Sequence, residues 1–248
     1  YNRGAADGHR ALIATLMYLA VKGRIVVDAT DKKHTELTRK SSSTSAGIEG
    51  ITPEDLAFET DLFVSSNHKT LGGTYDSGFT GAYTNFSKTL AAKYGEKYFR
   101  WNIGYTIAAL AVSIIVVVIA AFLANEWSIW LTLGIIAFAI LNFVFMYLMP
   151  APTQEGQKLR TEIEGFRLYM ETAEKLQLNA AKPGSEAPPP MTTERYEKFL
   201  PYAVALGVEK PWTTHFEKLM PQEASNYHPT WANISTGQSF ASLSNSMV

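Results

Sequence analysis

Two uncharged stretches lie next to each other in the middle of this 248-residue chain and restrict its folds more than any other feature. Residues 103–124 and residues 127–149 contain no Asp, Glu, Lys, Arg or His. A helix crosses the hydrocarbon core of a bilayer with roughly 20 apolar residues, so each stretch is long enough to span it. Because only Asn125 and Glu126 separate the stretches, the two helices must be antiparallel. The sequence therefore predicts a transmembrane hairpin over residues 101–150.

The charges beside the hairpin predict its orientation. Cationic residues precede the first span and follow the second, whereas the turn carries only Glu126. These cations are Lys88, Lys93, Lys97, Arg100, Lys158, Arg160 and Arg167. Loops rich in Lys and Arg stay on the cytoplasmic side of a membrane. We therefore expect a multi-pass protein of the inner (plasma) membrane, with both ends of this chain in the cytosol.

Three residues inside the spans are candidates for helix packing. Gly104 and Ala108 place small side chains on one face of the first span, which favours the close approach of another helix. Asn142 is the strongly polar side chain of the second span, and we expect an interhelical hydrogen bond there in preference to a role in a pathway. Since neither span contains an ionisable residue, an ion pathway through this chain has little support.

Residues 1–100 have the pattern of a small cytosolic α+β unit. Apolar residues at helical spacing come first, and two short strand-like segments follow within residues 24–40. Thr52 and Pro53 occupy the N-cap and first positions expected at the start of a second helix. A helix followed by a tight β-ribbon is similar to a winged helix, so the unit is predicted to be winged-helix-like.

A winged-helix-like shape raises DNA binding as an alternative, and the charge of this unit argues against it. Residues 1–100 carry 13 Lys and Arg residues against 11 Asp and Glu residues. A DNA-binding face needs several clustered cations to neutralise phosphates. We therefore expect this unit to contact proteins and do not expect nucleic acid as a partner.

Residues 151–220 are predicted to form a small cytosolic helical unit of three amphipathic helices. The side chains expected to form its core and its interaction surface are Phe166, Tyr169, Met170, Tyr196, Phe199 and Trp212. The first of these helices carries as many Glu as basic residues, which favours docking on protein over a lipid surface. Residues 221–248 end in a polar stretch of low charge, and we predict a disordered tail there.

No residue pattern in the chain predicts chemistry. There is no cysteine, which removes thiolate metal sites and cysteine nucleophiles. The five histidines show no paired metal-ligand spacing, and the Gly-rich stretch that ends at Gly78 lacks the Gly-Lys-Ser/Thr ending of a phosphate-binding loop. We therefore assign no catalytic, cofactor-binding or metal-binding residue and expect a protein that is not an enzyme.

Several stretches together indicate a family resemblance. They are "ALIATLMYLAVKGRIVV", the hairpin, "EGFRLYMETAEKLQL" and "RYEKFLPYAVALGVEKPWTTHFEKL". In this order they resemble the YciQ-like predicted membrane proteins, a bacterial family of unknown function. The resemblance implies an upstream extracytoplasmic β-rich domain and another transmembrane helix, and it would make this chain a C-terminal portion. It implies no catalytic residue.

These observations predict a mostly helical membrane protein, with a two-helix hairpin between an α+β unit and a helical unit. Our first hypothesis is a non-catalytic, membrane-anchored assembly or interaction protein whose partners are the lipid bilayer and other protein chains. The first alternative is a membrane-tethered DNA-binding regulator. The second is a subunit of a transporter or enzyme complex whose active groups lie on another chain.

Overall fold

The computed structural model describes residues 8–31, 34–40, 50–71, 76–124, 126, 128–180 and 189–234. Most of these residues are helical, and short strands form two small sheets. The helices are α1 (Gly8–Val21), α2 (Pro53–Leu62), α3 (Ser77–Tyr98), α4 (Ile103–Leu123), α5 (Ile129–Leu148), α6 (Gln154–Ala180), α7 (Thr193–Leu206), α8 (Glu209–Leu219) and α9 (Pro221–Ser225). The strands are β1 (Ile25–Ala29), β2 (Thr35–Arg39), β3 (His68–Leu71), β4 (Phe99–Arg100), β5 (Ala151–Pro152) and β6 (Ala232–Ile234).

The described residues divide into two compact units. The hairpin unit contains residues 91–160. The α+β unit contains the described residues of 6–90 and 161–248, so the hairpin unit is inserted into its chain. Residues before and after the hairpin therefore fold together, whereas 1–100 and 151–220 were predicted to form separate units.

The hairpin unit contains the two predicted spans. Helices α4 and α5 are both long and apolar enough to cross a membrane, and no residue of either helix is buried by the rest of the chain. This exposure is opposite to what a core helix of a soluble domain would show, because such a helix is covered by its neighbours. Ser128 caps α5, where its side chain accepts a hydrogen bond from the backbone N–H of Trp130.

Backbone contacts join the two segments at the open end of the hairpin, residues 97–100 and 151–156, here called the junction. Strands β4 and β5 pair antiparallel, with Arg100 opposite Ala151. Thr153 then donates its backbone N–H to the carbonyl oxygen of Tyr98 at 3.0 Å and its hydroxyl to the carbonyl oxygen of Lys97 at 2.8 Å. A Cβ at Gly156 would lie 2.1 Å from the Tyr98 carbonyl oxygen, so only glycine fits there without movement of the backbone.

A four-stranded sheet of order β3-β2-β1-β6 forms one side of the α+β unit. Strand β1 pairs antiparallel with β2 and parallel with β6, and β3 pairs antiparallel with β2. The predicted ribbon of two strands is thus the centre of a larger sheet, with both of its outer edges occupied. The winged-helix-like prediction rested on a helix and these two strands alone, whereas the structure adds β3 and β6 from segments for which no strand was predicted.

One continuous core holds the α+β unit together. Helix α1 packs mainly on α7, so Leu12, Leu16 and Leu19 share that core with Leu200 and Ala203. Phe58 of α2 and Phe86 of α3 meet in it with their ring centroids 4.9 Å apart. This core is apolar and drawn from both sides of the hairpin in sequence, so burial of this surface stabilises the two flanks only when they are together.

Capping side chains and a glycine mark the ends of helices in the α+β unit, and the N-cap at Thr52 was predicted from the sequence. Thr52 and Thr192 cap α2 and α7, where their side chains accept the backbone N–H groups of Asp55 and Arg195. Helix α7 ends at Gly207, whose φ of 68° lies in the left-handed region that glycine adopts easily. Pro201 lies inside α7, and the helix continues through it to Leu206.

The prediction of a disordered tail over 221–248 is wrong for its first half. Helix α9 forms directly after α8, and β6 adds to the sheet beside β1. Trp231, just before β6, is buried in the common core. The segment contains only one Asp, Glu, Lys or Arg residue, Glu223, so a tail was the local expectation. The core contact of Trp231 is a tertiary interaction that composition does not show. Residues 235–248 lie outside the described residues.

Candidate functional site

An aromatic cluster in the α+β unit brings together the residues that the sequence singled out on α6, α7 and α8. At its inner end, the ring of Tyr196 stacks on that of Phe216 with centroids 4.3 Å apart. Trp212 beside them is fully buried, and its indole N–H donates to the backbone carbonyl of Tyr196 at 3.3 Å. These rings are fixed by both stacking and a hydrogen bond, so they form a rigid base for the cluster.

The outer end of the cluster reaches the surface. Phe166 of α6 contacts Phe199 of α7 edge to face at 5.4 Å, and Phe199 contacts Trp212 at 5.9 Å. Phe166 also contacts Tyr202 at 6.2 Å, and Tyr202 is 46% exposed. Tyr18 of α1 meets Tyr202 at 6.4 Å. The cluster therefore runs from a buried centre to a partly exposed aromatic surface.

The remaining predicted residues of this set, Tyr169 and Met170, also join the cluster. Tyr169 contacts Trp212 with ring centroids 6.3 Å apart, and Met170 is buried in the common core. The guanidinium of Arg195 lies 5.6 Å from the centre of the Phe199 ring, a cation–π arrangement. The structure thus brings all six predicted side chains of this set into one neighbourhood, where they dock α6 on the helices that follow it.

The cluster offers contact surface and little chemistry. Its members are aromatic or aliphatic, and the buried His215 lies 5.9 Å from Trp212 between ring centroids. Across the described part of the chain, no group of three His, Asp or Glu side chains is arranged to hold a metal ion. The arrangement is suited to binding another apolar surface, because partly exposed aromatic side chains bury large areas at low entropic cost.

Glu197 connects the cluster to the segment between α9 and β6. Its carboxylate oxygen accepts the hydroxyl of Tyr227 at 2.6 Å and the indole N–H of Trp231 at 3.2 Å. Burial and the neighbouring Glu197 carboxylate raise the pKa of Tyr227. Burial likewise raises the pKa of Tyr196 to about 12, partly offset by its hydrogen bond with Thr213. Both phenols therefore stay neutral over the physiological pH range, as a packed core requires.

A buried ion-pair network in the same unit was not predicted from the sequence. The carboxylate of Glu59 on α2 is fully buried and accepts two hydrogen bonds from Arg24, at 2.8 and 3.0 Å. Arg39 on β2 donates to it as well, at 2.9 Å. Glu59 lies next to Phe58 on a buried face of α2. An acidic residue on a buried helix face is the sequence signal that could have indicated this network. The network ties α2 to β2 and to the start of β1.

A polar contact joins the two spans. The amide of Asn142 donates to the Ser113 hydroxyl at 3.0 Å, and also to the Phe138 carbonyl at 2.9 Å. Asn142 thus occupies the predicted interhelical role, with Ser113 as its partner. Gly104 and Ala108 are exposed, and a Cβ at Gly104 would meet no atom within 4 Å. Close helix packing at Gly104 and Ala108 therefore does not occur in this hairpin, because α5 contacts the face of α4 that carries Ser113.

These features define a class: a protein with two apolar helices that could span a membrane and a separate α+β unit built from both flanks. The chain belongs to the family described as "Predicted membrane protein (DUF2207) C-terminal domain", which it matches over residues 1–216. That family has no established function. Neither a curated protein nor a solved structure matches the chain. The matched range ends before Trp231 and β6, so the strand that completes the sheet lies beyond it.

Proposed function

We propose that this chain is a non-catalytic, membrane-anchored interaction protein. Helices α4 and α5 are the anchor, and the α+β unit presents the partly exposed end of the aromatic cluster to another protein chain. We further propose that the protein lies in the bacterial inner membrane as a multi-pass protein, with both soluble flanks in the cytosol. This orientation rests on the cations that precede the first span and follow the second, and on the absence of Lys and Arg from the turn between the spans.

The observation that carries the proposal is the exposure gradient of the aromatic cluster. Trp212 at its base is fully buried, whereas Tyr202 is 46% exposed and Ile163, one turn before Phe166 on α6, is 42% exposed. A rigid buried base with an exposed aromatic edge is typical of protein-binding surfaces, where anchored Tyr and Trp side chains supply most of the binding energy.

Site-specific photo-crosslinking in native membranes tests the interaction. A photoreactive amino acid replaces Tyr202 or Ile163 in the full chain, and crosslinked products are identified by mass spectrometry. We expect a reproducible protein partner, or a second copy of this chain, at both positions. The matched control places the same group at Glu36, an exposed residue of β2 in the same unit. Equal yields at all three positions, or no protein product at Tyr202, would contradict the proposal.

Cysteine accessibility tests the orientation, because the natural chain contains no cysteine. A single cysteine at Glu126, in the turn between the spans, should react with a membrane-impermeant maleimide added outside intact cells. Single cysteines at Ser43 or Ser185 should react only after the membrane is opened. The reverse labelling pattern would overturn the proposed orientation. It would not affect the crosslinking test of the interaction.

A further inference from the structure

The junction of the hairpin unit gathers cationic side chains on adjoining segments. Lys97 near the end of α3, Arg100 on β4 and Lys158 in the second turn of α6 are all exposed. The backbone contacts of Thr153 with Lys97 and Tyr98, and the pairing of β4 with β5, hold these segments against each other. Among the residues that the structure describes, Arg100 and Lys158 form no ion pair.

Aromatic side chains separate these cations from the apolar spans. Trp101, Tyr105 and Tyr147 are exposed at the same end of α4 and α5. Rings of Tyr and Trp settle at the level of lipid headgroups, and Lys and Arg settle just beyond them, at the phosphates. Tyr98 connects the aromatic side chains to the cations, since the Lys97 ammonium lies 5.1 Å from the centre of the Tyr98 ring. The order along the unit is therefore apolar span, aromatic belt, cations.

The acidic groups at this end are fewer than the basic ones. Within residues 91–102 and 150–160, Lys93 and Arg160 bring the cations to five, whereas the carboxylates are Glu96 and Glu155. The other end of the hairpin is different, because no Lys or Arg occurs between Arg100 and Lys158 in the sequence and Glu126 lies in the turn. The charge asymmetry thus confines cationic groups to one end of the spans.

We propose that Lys97, Arg100 and Lys158 form a binding site for the phosphate of an acidic phospholipid headgroup. The inference rests on the proposed anchoring of α4 and α5 in a membrane. It goes beyond orientation, because it assigns a preferred lipid to a fixed site. Cations immediately beside a membrane span attract anionic lipids, and here the β4–β5 junction holds them in place so that one headgroup can meet several of them.

Lipid retention tests the site on the full chain. The protein is reconstituted in nanodiscs with equal amounts of phosphatidylglycerol and phosphatidylcholine, extracted mildly in detergent, and its bound lipids are counted by native mass spectrometry. We expect the natural chain to retain phosphatidylglycerol preferentially. The variant Lys97→Gln/Arg100→Gln/Lys158→Gln should lose this preference by roughly tenfold. Loss of the preference reports on the site, since phosphatidylcholine keeps the same acyl chains and lacks net charge.

Two further variants make the outcome decisive. Lys40→Gln/Lys198→Gln/Lys210→Gln removes three exposed cations from the α+β unit and should keep the preference. Lys97→Arg/Arg100→Lys/Lys158→Arg preserves the charges at the junction and should also keep it. An equal loss in the Lys40 variant, or no preference in the natural chain, would overturn the site. Alkaline extraction of native membranes separates the two proposals: release of the chain would refute anchoring, whereas retention without lipid preference would refute only the lipid site.

Discussion

At the scale of single residues, the α+β unit depends on polar groups that are buried with their partners. Glu59 is fully buried and is held by Arg24 and Arg39. Tyr196 is buried as a neutral phenol that shares a hydrogen bond with Thr213. A buried charge without its partner is strongly destabilising, and a buried phenol resists ionisation. We therefore expect stability to fall when Glu59 is substituted conservatively, and to depend on pH through Tyr196.

Replacement of Glu59 by Gln should lower the free energy of unfolding by about 3 kcal/mol. The substitution keeps the shape of the side chain but leaves Arg24, which is nearly buried, without its anionic partner. Chemical denaturation of the full chain in detergent micelles measures the change. Glu36→Gln, at an exposed position of β2, should change stability by less than about 0.5 kcal/mol. Equal effects of both substitutions would refute the role of the network.

The stability of the α+β unit should fall at alkaline pH because of Tyr196. Burial raises its pKa in the folded state from 10.0 to about 12, so the folded state resists loss of this proton. Because the folded pKa lies above the unfolded one, this stabilisation is complete below pH 10 and is lost as the pH rises to about 12. The thermal midpoint of Tyr196→Phe should change less over that interval than the midpoint of the natural chain.

Tyr227 contributes to the same pH dependence, since burial and Glu197 raise its pKa as well. The slope in Tyr196→Phe should therefore be reduced without disappearing, and the double variant with Tyr227→Phe should reduce it further. An unchanged slope in the double variant would show that neither phenol governs the alkaline limit. Lower stability at neutral pH in the single variant is expected as well, because the hydrogen bond with Thr213 is lost.

At the scale of elements, two contacts organise the hairpin unit. Within the spans, the Ser113–Asn142 pair fixes one face of α4 against α5. Beyond them, β4 and β5 close the junction, and α6 begins directly against the backbone of α3. The close approach of the two backbones at Gly156 is the tightest contact of this junction and makes it sensitive to a single methyl group.

Gly156→Ala should therefore destabilise the junction, whereas Gly165→Ala should not. Both glycines lie on α6, and alanine at either position gains up to about 1 kcal/mol of helix propensity. At Gly156 that gain is overcome because the new Cβ would lie 2.1 Å from the Tyr98 carbonyl oxygen, with a net cost of about 1–3 kcal/mol. At Gly165 a Cβ meets no atom within 4 Å. Thermal unfolding of the full chain compares the two, and equal midpoints would contradict the close packing.

At the scale of the whole molecule, the hairpin unit is inserted into the chain of the α+β unit. The helix α1 before it packs on α7 after it, and β1 pairs with β6. Both ends of the hairpin thus continue into the same folded unit.

Neither flank of the hairpin should fold alone. Residues 6–90 without the rest would expose the face of α1 that packs on α7, and residues 161–234 would expose the corresponding face of α7. Each fragment should lack dispersed amide signals in NMR spectra, whereas the two fragments expressed together should copurify and recover dispersion. Dispersed spectra from either fragment alone would contradict the shared core.

The sequence by itself determined the features that depend on local chemistry. The lengths of the spans, the helix start at Thr52 and the helix end at Gly207 follow from apolar runs, capping side chains and backbone preferences within a few residues. The aromatic residues of α6, α7 and α8 were also identifiable, because their helical spacing marks a buried face.

Only the tertiary structure decided how these elements combine. The hydrogen bond between Asn233 and Asp28 joins residues 205 positions apart, and the pairing of β6 with β1 depends on the same long-range closure. Such contacts form only when the intervening chain folds back, so no local pattern around 232–234 reveals them. The buried partners of Glu59 and the exposed faces of Gly104 and Ala108 depend likewise on which neighbouring element packs where. Composition and periodicity leave that choice open, because one helix face can be covered by several partners.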